Sequence, residues 1–235
     1  LALDFAFVPA DEPWAARAAE GLSRSGRAVL WAVDGPLWPA LRMLGVEEGL
    51  KATAWDPTLL ESVLDSETDR ARTDSAAGVA AGAHAIVVAD DIAGSAGPLI
   101  SPDYLNEHLI HRLALLVAFA ASDGLRTAFH SDGEIRAFLQ SIVRAGFVAV
   151  HGGGGLPLIG FEALLAESRR QGLALLGGLD TVVLREGVPA SVRLGAHVGV
   201  LASAGGLLIA DDGGITTGSE ISALAAAFTA ASATD

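Results

Sequence analysis

Short apolar runs alternate with glycine-bearing turns and amphipathic stretches along the whole chain. The runs cover residues 3–8, 28–33, 85–89, 126–129, 147–150, 173–176 and 206–210. They are apolar without a period of two, the pattern of parallel strands buried on both faces. Helix signals lie between them. Asp56-Pro57 puts a capping residue before a proline at the first helical position and predicts a long helix to about Gly82. Ser101-Pro102 predicts another that ends near Gly124, and Gly146 and Gly172 sit where helix C-caps belong, just before the next run. Repeated alternation of this kind predicts an α/β fold with a parallel sheet. A (β/α)8 TIM-type barrel is favoured over an open doubly wound sheet, because no dinucleotide fingerprint follows the first run. Only seven runs are visible, so the barrel is expected to be distorted or incomplete at its N-terminal side. No Pro/Ser-rich or charged linker interrupts the pattern, and residues 1–235 read as one domain.

Composition narrows the chemistry. Hydrophobic residues make up 51% of the 235 and charged residues 18%, enough apolar material for a sizeable core. The absence of cysteine removes disulfides, thiolate nucleophiles and thiolate metal sites. A formal net charge of −13, with 15 Lys and Arg, makes nucleic acid and anionic membranes poor partners. No apolar stretch is long enough to span a bilayer and no signal-peptide pattern opens the chain, so a cytoplasmic location is the expectation.

The informative residues follow the runs. Asp11 comes after the first, Asp34 after the second, and Asp90 and Asp91 after the third. The fourth leads into His130, Ser131 and Asp132, the fifth into His151 and four glycines, the sixth into Asp180, and the seventh into Asp211 and Asp212. In a parallel barrel all these turns open on one face, where barrel enzymes place their chemistry. Each single Asp also has a plainer reading as a helix cap or turn residue. The pair His130-x-Asp132 is more pointed, since an extended strand end aims both side chains at one place, as a metal site or an acid–base pair requires. His151 is a second imidazole at the same level. His84, His108, His111 and His197 fall on helices or before a strand and read as surface or packing residues. Gly152 to Gly155 lack the Lys-Ser/Thr of a phosphate loop. Of the four tryptophans, Trp14 and Trp38 could wall a pocket, although core packing is the ordinary use.

Several of these stretches resemble the uroporphyrinogen decarboxylase superfamily, which includes cobalamin-dependent methyltransferases. They are residues 34–38 (DGPLW), 87–93 (VVADDIA) with 99–104 (LISPDY), and 129–135 (FHSDGEI). Residues 176–181 (LGGLDT) with Gly187-Val-Pro, and 208–215 (LIADDGGI), complete the match. They run in the family's order across nearly the whole chain, and the resemblance implies a longer protein with further sequence before Leu1. Residues 4–11 resemble a decarboxylase strand whose last position, here Asp11, is that branch's catalytic aspartate. The decarboxylases' N-terminal arginine motif has no counterpart, Met43 stands near their pocket tyrosine, and Gly213 stands at a late histidine. An Asp-lined mouth without matching arginines suits a neutral or cationic substrate better than a polyanion. The methyltransferase branch implies a zinc site of His-x-Cys plus a late Cys, at which this chain carries His130, Asp132 and Gly213.

The resemblance therefore implies methyl transfer between a small substrate and a corrinoid or tetrahydrofolate carrier, on a (β/α)8 barrel that pairs as a homodimer or meets a corrinoid protein. Asp11, His130 and Asp132 are the expected catalytic residues, with His130 and Asp132 the candidate ligands of a zinc ion. Asp34, Trp38, Asp90, Asp91, His151, Asp180 and Asp212 are expected to bind substrate. A porphyrinogen decarboxylase acting through Asp11 is the alternative, and a non-catalytic small-molecule-binding barrel is the second.

Overall fold

The computed structural model describes residues 5–233. Seven strands form one all-parallel sheet: β1 (Phe5–Pro9), β2 (Ala28–Asp34), β3 (Ala85–Ala89), β6 (Arg126–Ser131), β7 (Ala149–Gly152), β8 (Ala174–Leu179) and β9 (Leu207–Asp211). A short hairpin, β4 (Ala93–Gly94) and β5 (Gly97–Pro98), follows β3. The sheet order is β1-β2-β3-β6-β7-β8-β9, and the end strands β1 and β9 do not pair. All seven apolar runs are strands, although residues 3 and 4 of the first lie outside the described residues. The sheet curls strongly into an open half-barrel. Phe7 of β1 stacks on His151 of β7, ring centroids 4.6 Å apart, although β2, β3 and β6 separate the two strands in the sheet. The barrel expectation holds in its incomplete form.

Helices cover the outer face. They are α1 (Ala15–Arg24), α2 (Leu37–Leu44), α3 (Val46–Trp55), α4 (Glu61–Ala80), α5 (Pro102–Tyr104), α6 (Ile110–Ser122), α7 (Leu139–Ala145), α8 (Leu158–Arg170), α9 (Thr181–Arg185), α10 (Val188–Ser203) and α11 (Gly218–Ser232). Strand side chains alternate between two separate cores. Val8, Val29, Trp31, Val33, Ile86, Val88, Phe129, Val150 and Leu175 face the helices in the main core. Val87, Ala128, Ala149, Leu176 and Ala210 face the lumen, with Phe5, Phe7, Leu30, Ala32 and Ala174 against them. Burial of each large side chain in the helix-facing layer stabilises by roughly 1.5–3 kcal/mol.

Several local expectations change. The long helix after Asp56 starts at Glu61, because the Asp56 carboxylate accepts from the Thr58 hydroxyl at 2.8 Å and residues 57–60 form turns instead. Ser101 does cap its helix, accepting from Tyr104 N at 3.0 Å, but a π-type turn over Leu105–Leu109 interrupts that helix before α6. Gly146 ends α7 with φ 99°, the left-handed backbone that glycine supplies without strain. Core packing holds for Trp31, whose indole N–H donates to Asp74 O at 3.0 Å. Trp14 and Trp55 are 44% and 86% exposed, so packing does not explain them. Among the described residues no helix is long and apolar enough to cross a membrane.

The last helix carries an ionic device. Thr217 and Glu220 form a capping box, and the Glu220 carboxylate also accepts from Thr216 N at 2.7 Å and from Arg185 Nε at 2.7 Å. The Arg185 guanidinium and these amides hold the Glu220 carboxyl down at about 2, below its ordinary 4.5. A depressed carboxylate contributes stability above its unfolded value and loses it as the pH falls through the folded one. Glu220→Gln is expected to flatten the acid limb of a melting-temperature–pH profile between about 4.5 and about 2. An unchanged slope would show that Glu220 contributes nothing there.

Candidate active site

The site begins with strand alternation. On β3, Val87 and Ala89 line the lumen, so continuing the period of two sends Asp91 inward and Asp90 outward. On β6 the same count brings His130 inward and then Asp132, with Ser131 outward; on β7 it brings His151, and on β9 Ala210 and then Asp212. In the register, Ala89 lies opposite His130 and His130 opposite His151. The two imidazoles therefore sit side by side, centroids 4.7 Å apart and 31° between planes.

His151 is fixed in one tautomer. Its Nε2 lies 3.0 Å from the Asp211 carbonyl, which can only accept, so Nε2 carries the proton and Nδ1 keeps its lone pair. Burial, and then the neighbouring His130, push the His151 pKa down. Burial also lowers that of His130, against the opposing pull of the Asp91 charge, a hydrogen bond to the His151 backbone and the Asp212 charge. Both imidazoles thus favour the neutral form, the form that can donate a lone pair.

Asp91 completes the group. Its Oδ1 accepts from Asp132 N at 2.8 Å and lies 3.8 Å from His130 Nε2. Asp91, His130 and Asp132 each offer a donor atom, and these atoms lie within 4.8 Å of one another. Among the described residues, Asp132 Oδ1 is buried without a hydrogen-bond partner. Burial, followed by the Asp91 and Asp212 charges, pushes the Asp132 carboxyl up to about 6. Two strand ends are pinned together here: the Ser131 hydroxyl accepts from Ile92 N at 3.1 Å and donates to Asp132 O at 3.0 Å. Gly154 packs on the Asp132 carboxylate so closely that a Cβ there would overlap it. Gly154→Val is expected to displace Asp132 and to weaken divalent-cation binding about tenfold, the lower range for a supporting position. Unchanged binding in that variant would show that the Asp132 placement is irrelevant to the site.

The other candidates separate around this group. Asp90 is only 1% exposed and belongs to the start of α2: Oδ2 accepts from Leu37 N at 2.9 Å and Oδ1 from Trp38 N at 2.8 Å. Trp38 is half-buried at that helix start. Asp34 is exposed and pairs with Arg42 at 3.3 Å. Asp180 caps α9 through Val182 N at 2.7 Å, and Asp212 accepts from both the backbone N and the hydroxyl of Thr181. Asp180 and Asp212 border a 160 Å³ notch beside Gly152, Gly153 and Phe161. Asp11 stands exposed in the turn after β1 and does not line the lumen. Gly213 offers no side chain, and the third donor comes from Asp91 after β3. His84 accepts from Val29 N, His108 stacks on Tyr104 and His197 pairs with Glu162, all outside the mouth.

His130, His151 and Asp212 line a cavity of about 1040 Å³ that reaches from the lumen to the gap between β1 and β9. Its lower wall is apolar and built from small residues, with Ala32, Ala89 and Ala210 beside Val87, Phe5 and Phe7. The arginines after the strands are already paired: Arg42 with Asp34, Arg136 with Glu134 and Arg185 with Glu220. Asp91 was expected to bind substrate rather than metal; the alternation from Val87 and Ala89 was the signal that separates it from Asp90.

Comparison with known proteins agrees with this architecture. The family model described as uroporphyrinogen decarboxylase (URO-D) matches residues 17–233. The methylcobamide:CoM methyltransferase MtaA of Methanosarcina barkeri is 31% identical over 119 residues, covering 51% of this chain and 34% of that protein. The solved structure of a methyltransferase from Methanosarcina mazei superposes with a TM-score of 0.71 at 22% identity, covering 93% of this chain and 63% of that one. The chain thus spans about a third of the length of the curated relative it matches. On the family match and the strand-end motifs that carry it, the chain belongs to the uroporphyrinogen decarboxylase (URO-D) family, and within that superfamily its similarity runs to the MtaA-type methyltransferases.

Proposed function

We propose that this barrel belongs to a corrinoid- or pterin-linked methyltransferase in which Asp91, His130 and Asp132 hold a divalent metal at the mouth. The observation that carries this reading is the convergence of three donors within 4.8 Å, with His130 Nε2 3.8 Å from Asp91 Oδ1 and Asp132 Oδ1 buried without a partner among the described residues. A buried polar atom left without a partner costs about 1–3 kcal/mol, and a bound cation removes that cost. When bound, the metal would act as a Lewis acid that lowers the pKa of a coordinated substrate group and orients it for methyl transfer.

The chain's own residues supply the surroundings. Asp91 accepts from the backbone of Asp132, which keeps the two carboxylates in one place. His151, its Nε2 committed to Asp211, holds a lone pair at the mouth and stacks between Phe7 and His130. Asp180 and Asp212 add negative charge at the mouth, and the arginines after the strands are paired with other carboxylates, which favours a neutral or cationic substrate over a polyanion. The methyl carrier, a corrinoid on its own protein or a folate, would approach the same face. A homodimer is the expected assembly.

The test is an anaerobic assay of the chain with methylcobalamin and, separately, methyltetrahydrofolate, against a panel of small alcohols, thiols and amines. Acceptor-dependent demethylation of either carrier, lost in His130→Ala, is the expected result. Failure to bind or demethylate either carrier would contradict the proposal. Carbon dioxide release from a porphyrinogen, lost in Asp11→Asn, would replace it with the decarboxylase reading.

A further inference from the structure

The nature of the donor set says more than its presence. The three groups that converge are one imidazole and two carboxylates, in a chain that contains no cysteine at all. Carboxylate oxygen is the preferred ligand of magnesium, calcium and manganese ions, whereas thiolate selects softer ions. Imidazole adds affinity for first-row transition ions such as zinc, but here two carboxylates stand against one imidazole and no thiolate. The site is also not merely an acidic patch: one donor is a histidine, and Asp132 Oδ1 is buried without a partner among the described residues. The two carboxylates neutralise the charge of a divalent cation, so the site favours a neutral further ligand over an anionic one.

We infer that Asp91, His130 and Asp132 form an oxygen-preferring cation site of the Mn²⁺ class, which takes its substrate through a hydroxyl oxygen and not through sulfur. This rests on the proposed metal site and narrows it. A hydroxyl fits the neighbourhood on two counts. It is neutral, and the carboxylates of Asp180 and Asp212, hydrogen-bonded to the start of α9, would repel an anionic head group at the same mouth. Its organic body can lie on the alanine-rich lumen wall below the imidazoles. Raw affinity rises from manganese to zinc in any site of this kind, so what the donor set controls is how far manganese lags and which atom completes the shell.

The experiment uses Mn²⁺ as the probe. Loss of the free aqua-ion signal in electron paramagnetic resonance measures binding to the wild-type chain, with Zn²⁺ titrated in parallel by calorimetry. Water-proton relaxation then reports whether phenol, ethanol or 2-mercaptoethanol displaces metal-bound water. We expect Mn²⁺ to bind, phenol or ethanol to reduce the relaxation enhancement, and 2-mercaptoethanol at equal concentration to leave it unchanged. Asp132→Cys should weaken Mn²⁺ at least tenfold while it retains Zn²⁺, as a thiolate donor demands. Zn²⁺ binding without Mn²⁺ binding, or displacement of water by the thiol alone, would overturn this inference and leave the metal site standing. Binding of neither ion would overturn the metal site itself.

Discussion

Asp90→Ala is expected to destabilise the protein by about 2–4 kcal/mol, while Asp91→Asn leaves the melting temperature close to that of wild type. The adjacent residues differ because the strand sends them to opposite faces. Asp90, fully buried, accepts the backbone N–H groups of Leu37 and Trp38, which open α2 and have no helical partner of their own. Alanine there strands two buried donors, at about 1–3 kcal/mol each, less the relief of removing a buried carboxyl. Asp91 faces the mouth, and asparagine keeps an oxygen to accept from Asp132 N. The pH dependence gives a second reading of the same residue. Burial, opposed by the two N–H bonds, pushes the Asp90 carboxyl up to about 7 from 3.8. A raised carboxyl contributes stability below its unfolded value and loses it as the pH rises through the folded one. The wild type should therefore lose stability from about 4 to about 7 through this group, and Asp90→Asn should remove that part of the slope. Chemical denaturation of the two variants across that range checks both statements; equal stability losses for positions 90 and 91 would refute the division of roles.

The second large effect is on cation binding. His130→Ala and Asp132→Asn are each expected to weaken a divalent ion roughly 100-fold or more, above the range for supporting residues, because each removes a direct donor. Neither should unfold the chain. His130 packs on His151 and Asp132 bears on Gly154, but the surrounding strands are held by the buried helix-facing layer, including Phe129 and Val150. Calorimetric titration of each variant, with a melting curve recorded beside it, separates a lost ligand from a lost fold. Wild-type affinity in either variant would remove that residue from the site.

Much of this was legible in the chain because buried parallel strands leave a direct trace. Residues 85–89 and 126–129 are apolar throughout, since one face meets helices and the other the lumen. The polar turn after each run then marks the mouth, and His130 and Asp132 stand out by their spacing of two. Asp90 and Asp91 looked equivalent because both end the same run. Separating them requires knowing that Val87 faces the lumen, which depends on register and on which face curls inward. The start of α4 lies later than Asp56-Pro57 suggests for a local reason: a side-chain bond from Thr58 to Asp56 competes with the capping role of Asp56. Trp14 and Trp55 carry no periodic signal that separates a buried indole from an exposed one. The gap between β1 and β9 is a property of the curled sheet that no single apolar run expresses.

Metal content bears most directly on the central claim, that Asp91, His130 and Asp132 form a cation site at the mouth of this barrel. Wild-type chain and His130→Ala would each be dialysed against added divalent metal, then against metal-free buffer, and analysed by mass spectrometry. About one ion per wild-type chain is expected, and loss of that ion in the variant. Equal metal in both proteins, or none retained by either, would contradict it.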